Sequence, residues 1–154
     1  MRTIAIDEIE AATLDDLRSI KEINSFLRLD IQDFYWDGIP YIASAIREGR
    51  CFVIRGDGLV KGCMIMEVRH PGQGYVEDSL AIGTLSVRPR FRNENLGVMF
   101  VGYARELARR ENKRLYVESF YEFEKLAFYK ALGFVESSPA TYRSMPYHVL
   151  YVDP

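Results

Sequence analysis

The residues best suited to chemistry lie between Val87 and Val98, where three arginines, an asparagine and a glycine join an apolar run to a helical pattern. Free N–H groups at the start of an α-helix bind anions, because they lack helical partners and lie at the positive end of the helix dipole. Gly97 has no side chain to obstruct a ligand, and Asn95 tolerates a left-handed backbone. The stretch therefore predicts an anion site, although it lacks the P-loop ending and the three glycines of a dinucleotide fingerprint.

The distribution of charge singles out the same stretch. The chain has 154 residues, 20 Lys+Arg, 22 Asp+Glu and a formal net charge of −2. Residues 88–114 contain 8 basic and 3 acidic residues, whereas residues 1–50 contain 6 basic and 10 acidic ones. The basic segment fits an anion site or a solvated helix face, and the acidic segment is compatible with a cationic partner.

Cysteine and histidine usage argues against a disulfide framework and a metal site. Cys51 and Cys63 are too few for such a framework, and His70 and His148 are isolated in the sequence. The two cysteines flank a predicted hairpin turn at residues 56–58. A three-residue loop would place the two cysteines at directly paired positions of the two strands. A two-residue loop would place them on opposite faces of the sheet.

The sequence also argues against membrane and nucleic-acid partners. No run of about 18 apolar residues is present, and the first residues do not resemble a signal peptide, so we expect a cytoplasmic protein. The basic residues beyond the turn spread over more than one helix face, and Phe91 is their one aromatic candidate for base stacking.

Hydrophobic periodicity predicts one α/β (α+β) domain over residues 1–154, in the order β-α-α-β-β-β-α-β-α-β-β. The predicted strands cover 4–10, 51–55, 59–69, 77–87, 114–119, 134–137 and 148–152. The predicted helices cover 14–28, 40–49, 95–112 and 121–132.

Three segments together resemble the GNAT (Gcn5-related) N-acetyltransferase superfamily. Residues 87–97 read Val-x-Pro-x-Phe-Arg-x-x-Asn-x-Gly, which is similar to that family's acetyl-CoA motif, Val-x-Pro-x-Tyr/Phe-Gln/Arg-x-x-Gly-x-Gly/Ala. Residues 128–134 match its Phe-Tyr-x-x-x-Gly-Phe pattern, and residues 9–16 resemble its opening strand-to-helix junction. The chain departs from the motif at Asn95, and Glu94 places a repulsive carboxylate where a diphosphate is expected.

The resemblance implies the GNAT fold, a mixed and mostly antiparallel sheet that is splayed at the cofactor site and flanked by about four helices. It implies acetyl-CoA as cofactor, with its diphosphate on the amides of residues 93–98 near Arg92. Its pantetheine arm would pair with main chain at 85–87, where this strand and the strand over 114–119 diverge. The implied cofactor residues are Leu85, Ser86, Val87, Arg92, Asn93, Glu94, Asn95, Leu96, Gly97 and Val98.

The implied activity is transfer of an acetyl group to a primary amine by direct attack in a ternary complex. By resemblance, Tyr129 is the general acid, or else an aromatic that packs its helix on the sheet. The family's basic glutamate falls on Ala81, so the candidate bases are Glu77 and Glu118, each of which could instead be an ordinary solvated carboxylate. A non-catalytic acyl-CoA-binding module is the alternative function.

The acceptor site is expected between the first two helices. Phe34, Tyr35 and Trp36 form an aromatic wall there or else close the core, and Asp30, Asp33 and Asp37 suit a cationic amine. By analogy, residues 146–152 could form the edge of a homodimer, or they could pair within the sheet.

Overall fold

The predicted pattern becomes a mixed sheet with four α-helices in the computed structural model, which describes residues 8–70, 75 and 78–154. The strands are β1 Ile9–Ala11, β2 Cys51–Gly56, β3 Leu59–Arg69, β4 Ser79–Val87, β5 Leu115–Phe120, β6 Val135–Glu136, β7 Ala140–Tyr142 and β8 Met145–Val152. The helices are α1 Leu17–Ser25, α2 Ile39–Arg47, α3 Leu96–Arg110 and α4 Leu126–Ala131. The predicted order of elements is confirmed, with β7 as an additional strand.

The strand order in the sheet is β1-β2-β3-β4-β5-β8-β6, and β7 also pairs with β8. The ladder between β4 and β5 is parallel and joins Leu80–Ile82 to Leu115–Val117, although both strands continue beyond it. The other ladders that the described residues define are antiparallel. Because β8 pairs with β5 on one side and with β6 and β7 on the other, residues 146–152 pair within the sheet.

Short segments next to α1 and α4 explain why these two helices are shorter than predicted. A short 3₁₀ segment, Leu14–Asp16, precedes α1, and the main chain after α1 closes in i→i+3 bonds, so the first helix is shorter than 14–28. A second 3₁₀ segment, Tyr121–Phe123, ends at Glu124 with φ 53°, which breaks the predicted helix over 121–132. The second predicted helix forms as expected, with Pro40 in its first turn and Gly49 at φ 73° after its end.

The hairpin between β2 and β3 resolves the placement of the cysteines. Its two-residue turn, Asp57–Gly58, has positive φ at both residues, and the register shifts at a bulge between Ile54 and Arg55. The shift returns both cysteines to one buried face, where they remain free thiols. Burial raises the pKa of the Cys51 thiol to about 12. The two-residue turn therefore forms, but the bulge places the cysteines on one face, whereas a ladder without a bulge would place them on opposite faces.

The chain divides into two compact units, to which β3 and β4 each contribute residues. The first comprises the described residues of 1–30, 34–66 and 84–103. In it, α1 and α2 pack their buried isoleucines on the face of β2 and β3 that carries the cysteines. Phe100 and Tyr103 of α3 cover the other face, where the Tyr103 ring lies 5.0 Å from that of Phe52. The single domain expected from chain length remains a prediction.

The second unit comprises the described residues of 31–33, 67–83 and 104–154. Its centre is the ladder of β5 with β8, in which Leu115, Val117 and Leu150 are buried. Arg105 of α3 donates a 2.8 Å hydrogen bond to the carbonyl of Leu132, just after α4. This bond anchors the end of α4, the helix that carries Tyr129.

Two global features bear on partners. No helix in the described part of the chain is long and apolar enough to cross a membrane. The same residues contain no group of three His, Cys, Asp or Glu side chains that could hold a metal ion.

Candidate active site

The turn between β4 and α3 has the geometry expected of an anion cradle. Pro89–Glu94 form a 3₁₀ segment, and Asn95 follows in the left-handed conformation at φ 60° and ψ 26°. The carbonyl of Asn95 accepts the N–H of Met99 at 3.3 Å, so the N–H groups of residues 96–98 belong to the first turn of a 15-residue helix. Such groups have no acceptor within the helix. Asn95, a residue type that tolerates a left-handed backbone, adopts one here.

Two arginines of the turn have different surroundings. Arg88 donates from Nε to the carbonyl of Val60 at 2.7 Å and pairs with Glu22. These contacts hold the turn against β3 and α1. Arg92 is exposed, and its Nε donates to the carbonyl of Val87 at 3.2 Å. This bond bends the Arg92 side chain back over the end of β4 and keeps its charge beside the turn.

The carboxylate of Glu94 pairs with Lys61, whose ammonium also lies 3.9 Å from Asp57 Oδ2. Lys61 Nζ lies 2.8 Å from Glu94 Oε1, and the same ammonium lies 4.9 Å from the centre of the Phe91 ring. The Lys61 side chain is only 11% exposed, so this pair is screened less by solvent than an ordinary surface pair. The expected repulsion between Glu94 and a diphosphate is therefore offset by an ion pair.

The last residues of β4 present two different faces. The hydroxyl of Ser86 is buried and donates to the carbonyl of Ile23 at 3.1 Å, so this side chain points into the first unit. Leu85 and Val87 alternate with it and are half-buried. The main chain is thus the part of Ser86 that a ligand could reach.

Tyr129 lies on α4 and is 5% exposed. Its ring lies 5.0 Å from that of Phe128 and 5.7 Å from that of Phe134, both at steep angles. Burial raises the pKa of the Tyr129 hydroxyl above its usual value. The hydroxyl therefore keeps its proton at neutral pH, as a proton donor must.

Glu118, one of the two candidate bases, lies in a polar cluster. Its Oε1 atom accepts hydrogen bonds from Arg69 Nε at 2.9 Å and from the Tyr75 hydroxyl at 2.8 Å. Arg69 Nη1 also donates to Glu67 Oε2 at 2.7 Å. Glu118 is only 19% exposed on its side chain, so it is not an ordinary solvated carboxylate. Glu77, the other candidate, lies outside the described residues.

The predicted aromatic wall is a set of touching rings. Trp36 stacks on Tyr35 at 4.2 Å and meets Phe34 edge-on at 5.0 Å. Phe34 is buried, whereas Tyr35 is 44% exposed. Both readings of this segment thus have support, because Phe34 packs into the protein and Tyr35 presents a ring to solvent.

The acidic residues near this wall have partners inside the protein. The Asp37 carboxylate is 9% exposed and accepts a 2.7 Å hydrogen bond from Arg28, and Asp33 pairs with Arg143. Asp30 is exposed. The expectation that these three aspartates suit a cationic amine stays a prediction, with Asp33 and Asp37 already paired to arginines.

Sequence reasoning did not identify Lys61, Glu67, Arg69 or Tyr75 as site residues. Lys61 is 33 residues from Glu94, and Arg69 is 49 residues from Glu118. One available signal was the placement of Glu67 and Arg69 on one face of β3, directly after its apolar run over residues 63–66.

The sheet topology, the left-handed residue and the helix start together define an α/β protein with a turn of defined geometry between the strand β4 and the helix α3. The family of the acetyltransferase (GNAT) domain matches residues 47–136 of the chain. No curated protein sequence matches the chain significantly.

Solved structures share the fold. Arabidopsis thaliana Naa50, in complex with the bisubstrate analogue CoA-Ac-MVNAL, is 17% identical with a TM-score of 0.73, over 94% of this chain and 97% of that one. Chaetomium thermophilum Naa20, also in complex with a bisubstrate analogue, is 12% identical with a TM-score of 0.77, over 94% and 85%. The ribosomal-protein-S18-alanine N-acetyltransferase of Escherichia coli is 20% identical with a TM-score of 0.68, over 94% and 92%.

The family match covers more than half of the chain, and the fold agrees with it. The chain belongs to the GNAT acetyltransferase family. The predicted fold class, a mixed and mostly antiparallel sheet with flanking helices, is confirmed.

Proposed function

We propose that this chain is an acetyl-CoA-dependent N-acetyltransferase that transfers the acetyl group directly to a primary amine in a ternary complex. The observation that carries the proposal is the turn at Asn95, whose left-handed backbone precedes the free first-turn amides of α3. A diphosphate suits this position, because the amides and the helix dipole both favour an anion.

The residues around the turn fit such a cofactor. The amides of residues 93–98 would hold the diphosphate, and Arg92 would add a positive charge at the solvent side. Lys61 offsets the charge of Glu94, which would otherwise oppose binding. The main chain of Leu85, Ser86 and Val87 would pair with the pantetheine arm.

Glu118 is the proposed base. It would take a proton from the acceptor ammonium, directly or through water, so that the neutral nitrogen can attack the thioester carbonyl carbon. A backbone amide near Leu85 would stabilise the oxyanion, an assignment that rests on family analogy. Glu77 is the alternative base.

Tyr129 is the proposed acid. As the carbon–sulfur bond breaks, its hydroxyl would give a proton to the departing thiolate and leave CoA as a thiol. The attacking nitrogen would lose its second proton to water, and water would return a proton to the Tyr129 oxygen. The hydroxyl carries its proton throughout the neutral range, as a proton donor must.

The acceptor would lie against the exposed ring of Tyr35 and its stacked neighbour Trp36, with Phe34 as their buried support. Two of the structural neighbours were solved with bisubstrate analogues, one of which contains the peptide sequence MVNAL. Peptides with a free α-amine therefore come first in a search for the acceptor, followed by small primary amines.

A transfer assay tests the proposal. The purified chain, acetyl-CoA and a panel of peptides and primary amines are followed by release of CoA thiol, and the acetylated product is identified by mass spectrometry. We expect release that depends on one class of amine. Binding of acetyl-CoA without transfer to any amine would favour the non-catalytic acyl-CoA-binding module.

A further inference from the structure

The polar cluster around Glu118 consists of Glu67 and Arg69 at the end of β3, Tyr75 before β4, and Glu118 on β5. We propose that Arg69 is a positioning residue that holds Glu118 in the orientation in which it removes the acceptor's proton. This inference rests on the proposed function, since it assigns a role to a residue that acts through the proposed base.

The hydrogen bonds of the cluster converge on one atom. Oε1 of Glu118 accepts a hydrogen bond from Arg69 Nε at 2.9 Å and another from the Tyr75 hydroxyl at 2.8 Å. Arg69 Nε also lies 3.2 Å from the Tyr75 hydroxyl oxygen, so the three groups contact one another. A carboxyl group with two donors on one oxygen has little freedom to rotate. Arg69 is held in turn, because its Nη1 donates to Glu67 Oε2 at 2.7 Å.

The ion pairs of the cluster are shielded from solvent. Glu67 and Glu118 both face the Arg69 guanidinium, and the three side chains are only 18–21% exposed. Solvent screens such pairs less than it screens exposed ones, so they hold Arg69 and Glu118 in a defined arrangement.

The surroundings keep the cluster ordered. The Tyr75 ring lies 4.8 Å from that of Tyr116, which precedes Glu118 by two residues on the same face of β5. Burial and the Glu118 charge raise the pKa of Tyr75, so its hydroxyl remains a neutral donor to Glu118. Although burial opposes its charge, the two carboxylates hold the pKa of Arg69 above its usual value. Arg69 is thus a permanent cation beside Glu118.

The experiment compares Arg69→Gln, Arg69→Lys and Glu118→Gln with the double variant Arg69→Gln/Glu118→Gln. Arg114→Gln is the matched control, because Arg114 is a similarly shielded arginine of the same unit that pairs with Asp153 instead. The acceptor is the peptide that reacts fastest in the transfer assay, and kcat and KM are measured at pH 7 and pH 9.5. Calorimetry with acetyl-CoA checks that each variant is folded and competent to bind.

We expect Arg69→Gln to lower kcat at pH 7 by up to about 100-fold, as a misplaced catalytic group does, with acetyl-CoA affinity unchanged. The loss should shrink at pH 9.5, because an α-amine with a pKa of about 8 is already neutral there and needs no base. Arg69→Lys should recover part of the rate. In the Glu118→Gln background, Arg69→Gln should add less than about a twofold loss, since it acts through Glu118.

Several outcomes overturn the inference alone. The inference fails if Glu118→Gln slows transfer and Arg69→Gln does not, or if Arg69→Gln loses as much rate at pH 9.5 as at pH 7. It also fails if the two single losses multiply in the double variant, or if Arg114→Gln slows transfer as much as Arg69→Gln does. If Glu118→Gln has no effect on transfer, both the proposed base and its positioning residue are wrong. If the wild-type chain transfers to no amine, the proposed function fails, and this inference fails with it.

Discussion

Lys61 and Glu94 form a 2.8 Å ion pair at the turn that precedes α3, and the Lys61 side chain is almost fully covered. The pair matters because Glu94 is an unfavourable residue beside a diphosphate. In the proposed function, Lys61 offsets the charge of Glu94 where the diphosphate binds, so the affinity for acetyl-CoA depends on both residues.

The first prediction concerns this pair. Glu94→Gln should tighten acetyl-CoA binding and Lys61→Gln should weaken it, each by about 0.3–1 kcal/mol, the range for a charge near a helix terminus. Calorimetric titration measures both. Glu106→Gln is the control, because Glu106 lies toward the other end of α3 beside Arg110 and should leave the affinity unchanged. Weaker binding by Glu94→Gln would show that its carboxylate does not face the phosphates.

The second prediction concerns the left-handed residue Asn95. Asn95→Ala should lower the free energy of unfolding by roughly 1 kcal/mol, because alanine is strained at φ 60°, and it should weaken acetyl-CoA binding as well. Asn95→Gly should preserve both. Asn112, at φ 53° just after α3, provides the matched control. Asn112→Ala should lower stability to a similar extent and leave the dissociation constant for acetyl-CoA unchanged. If Asn112→Ala weakens acetyl-CoA binding as much as Asn95→Ala does, Asn95 has no specific role in binding.

The third prediction separates an enzyme from a binding module. Tyr129→Phe should lower kcat about 100-fold, a typical contribution of a positioned proton donor, with acetyl-CoA affinity unchanged. Tyr151→Phe, a change of the same kind on β8, should have little effect. Since burial raises the pKa of Tyr129, the wild-type rate should not decline on the alkaline side up to about pH 10. Full activity in Tyr129→Phe would leave the ring with a packing role only.

The fourth prediction concerns stability at Asp16, where both carboxylate oxygens accept 2.7 Å hydrogen bonds from Arg55. Arg55 lowers the pKa of Asp16, so the stabilisation is present above the ordinary value of 3.8 and is lost as the pH falls through the folded-state value. Because Arg55 is 39% exposed, Arg55→Gln should cost about 1–2 kcal/mol at pH 7, less than breaking a fully buried pair.

Urea unfolding of Arg55→Gln and the wild type at pH 7 and pH 2.5 measures this contribution. The difference between them should shrink in acid. Arg110→Gln, which breaks a highly exposed pair with Glu106, should change stability by only a few tenths of a kcal/mol at either pH. A difference for Arg55→Gln that persists in acid would mean that packing of the side chain, and not its charge, stabilises the protein.

The features that the sequence predicts correctly are local. The turn residues 92–98 are contiguous, so residue type and spacing alone indicate the left-handed Asn95 and the helix that follows it. The element order follows from hydrophobic periodicity. β7 was missed because it is three residues long and pairs across a turn at Arg143 and Ser144, two non-glycine residues with positive φ.

The features that the sequence does not predict depend on long-range pairing. The bulge after Ile54 places both cysteines on one face of the hairpin, and no turn residue indicates it. The partners of Glu94 and Glu118 come from distant strands, so their charges look unpaired in the sequence. The aspartates near Trp36 looked available to an amine for the same reason, although Asp37 is occupied by Arg28.

Calorimetric titration of the wild-type chain with acetyl-CoA is the most direct test of cofactor binding. We expect saturable binding of one acetyl-CoA per chain with a dissociation constant below about 1 mM, in the range common for enzyme substrates, and displacement by free CoA. No saturable heat at millimolar acetyl-CoA, from protein shown to be folded by circular dichroism, would contradict this expectation.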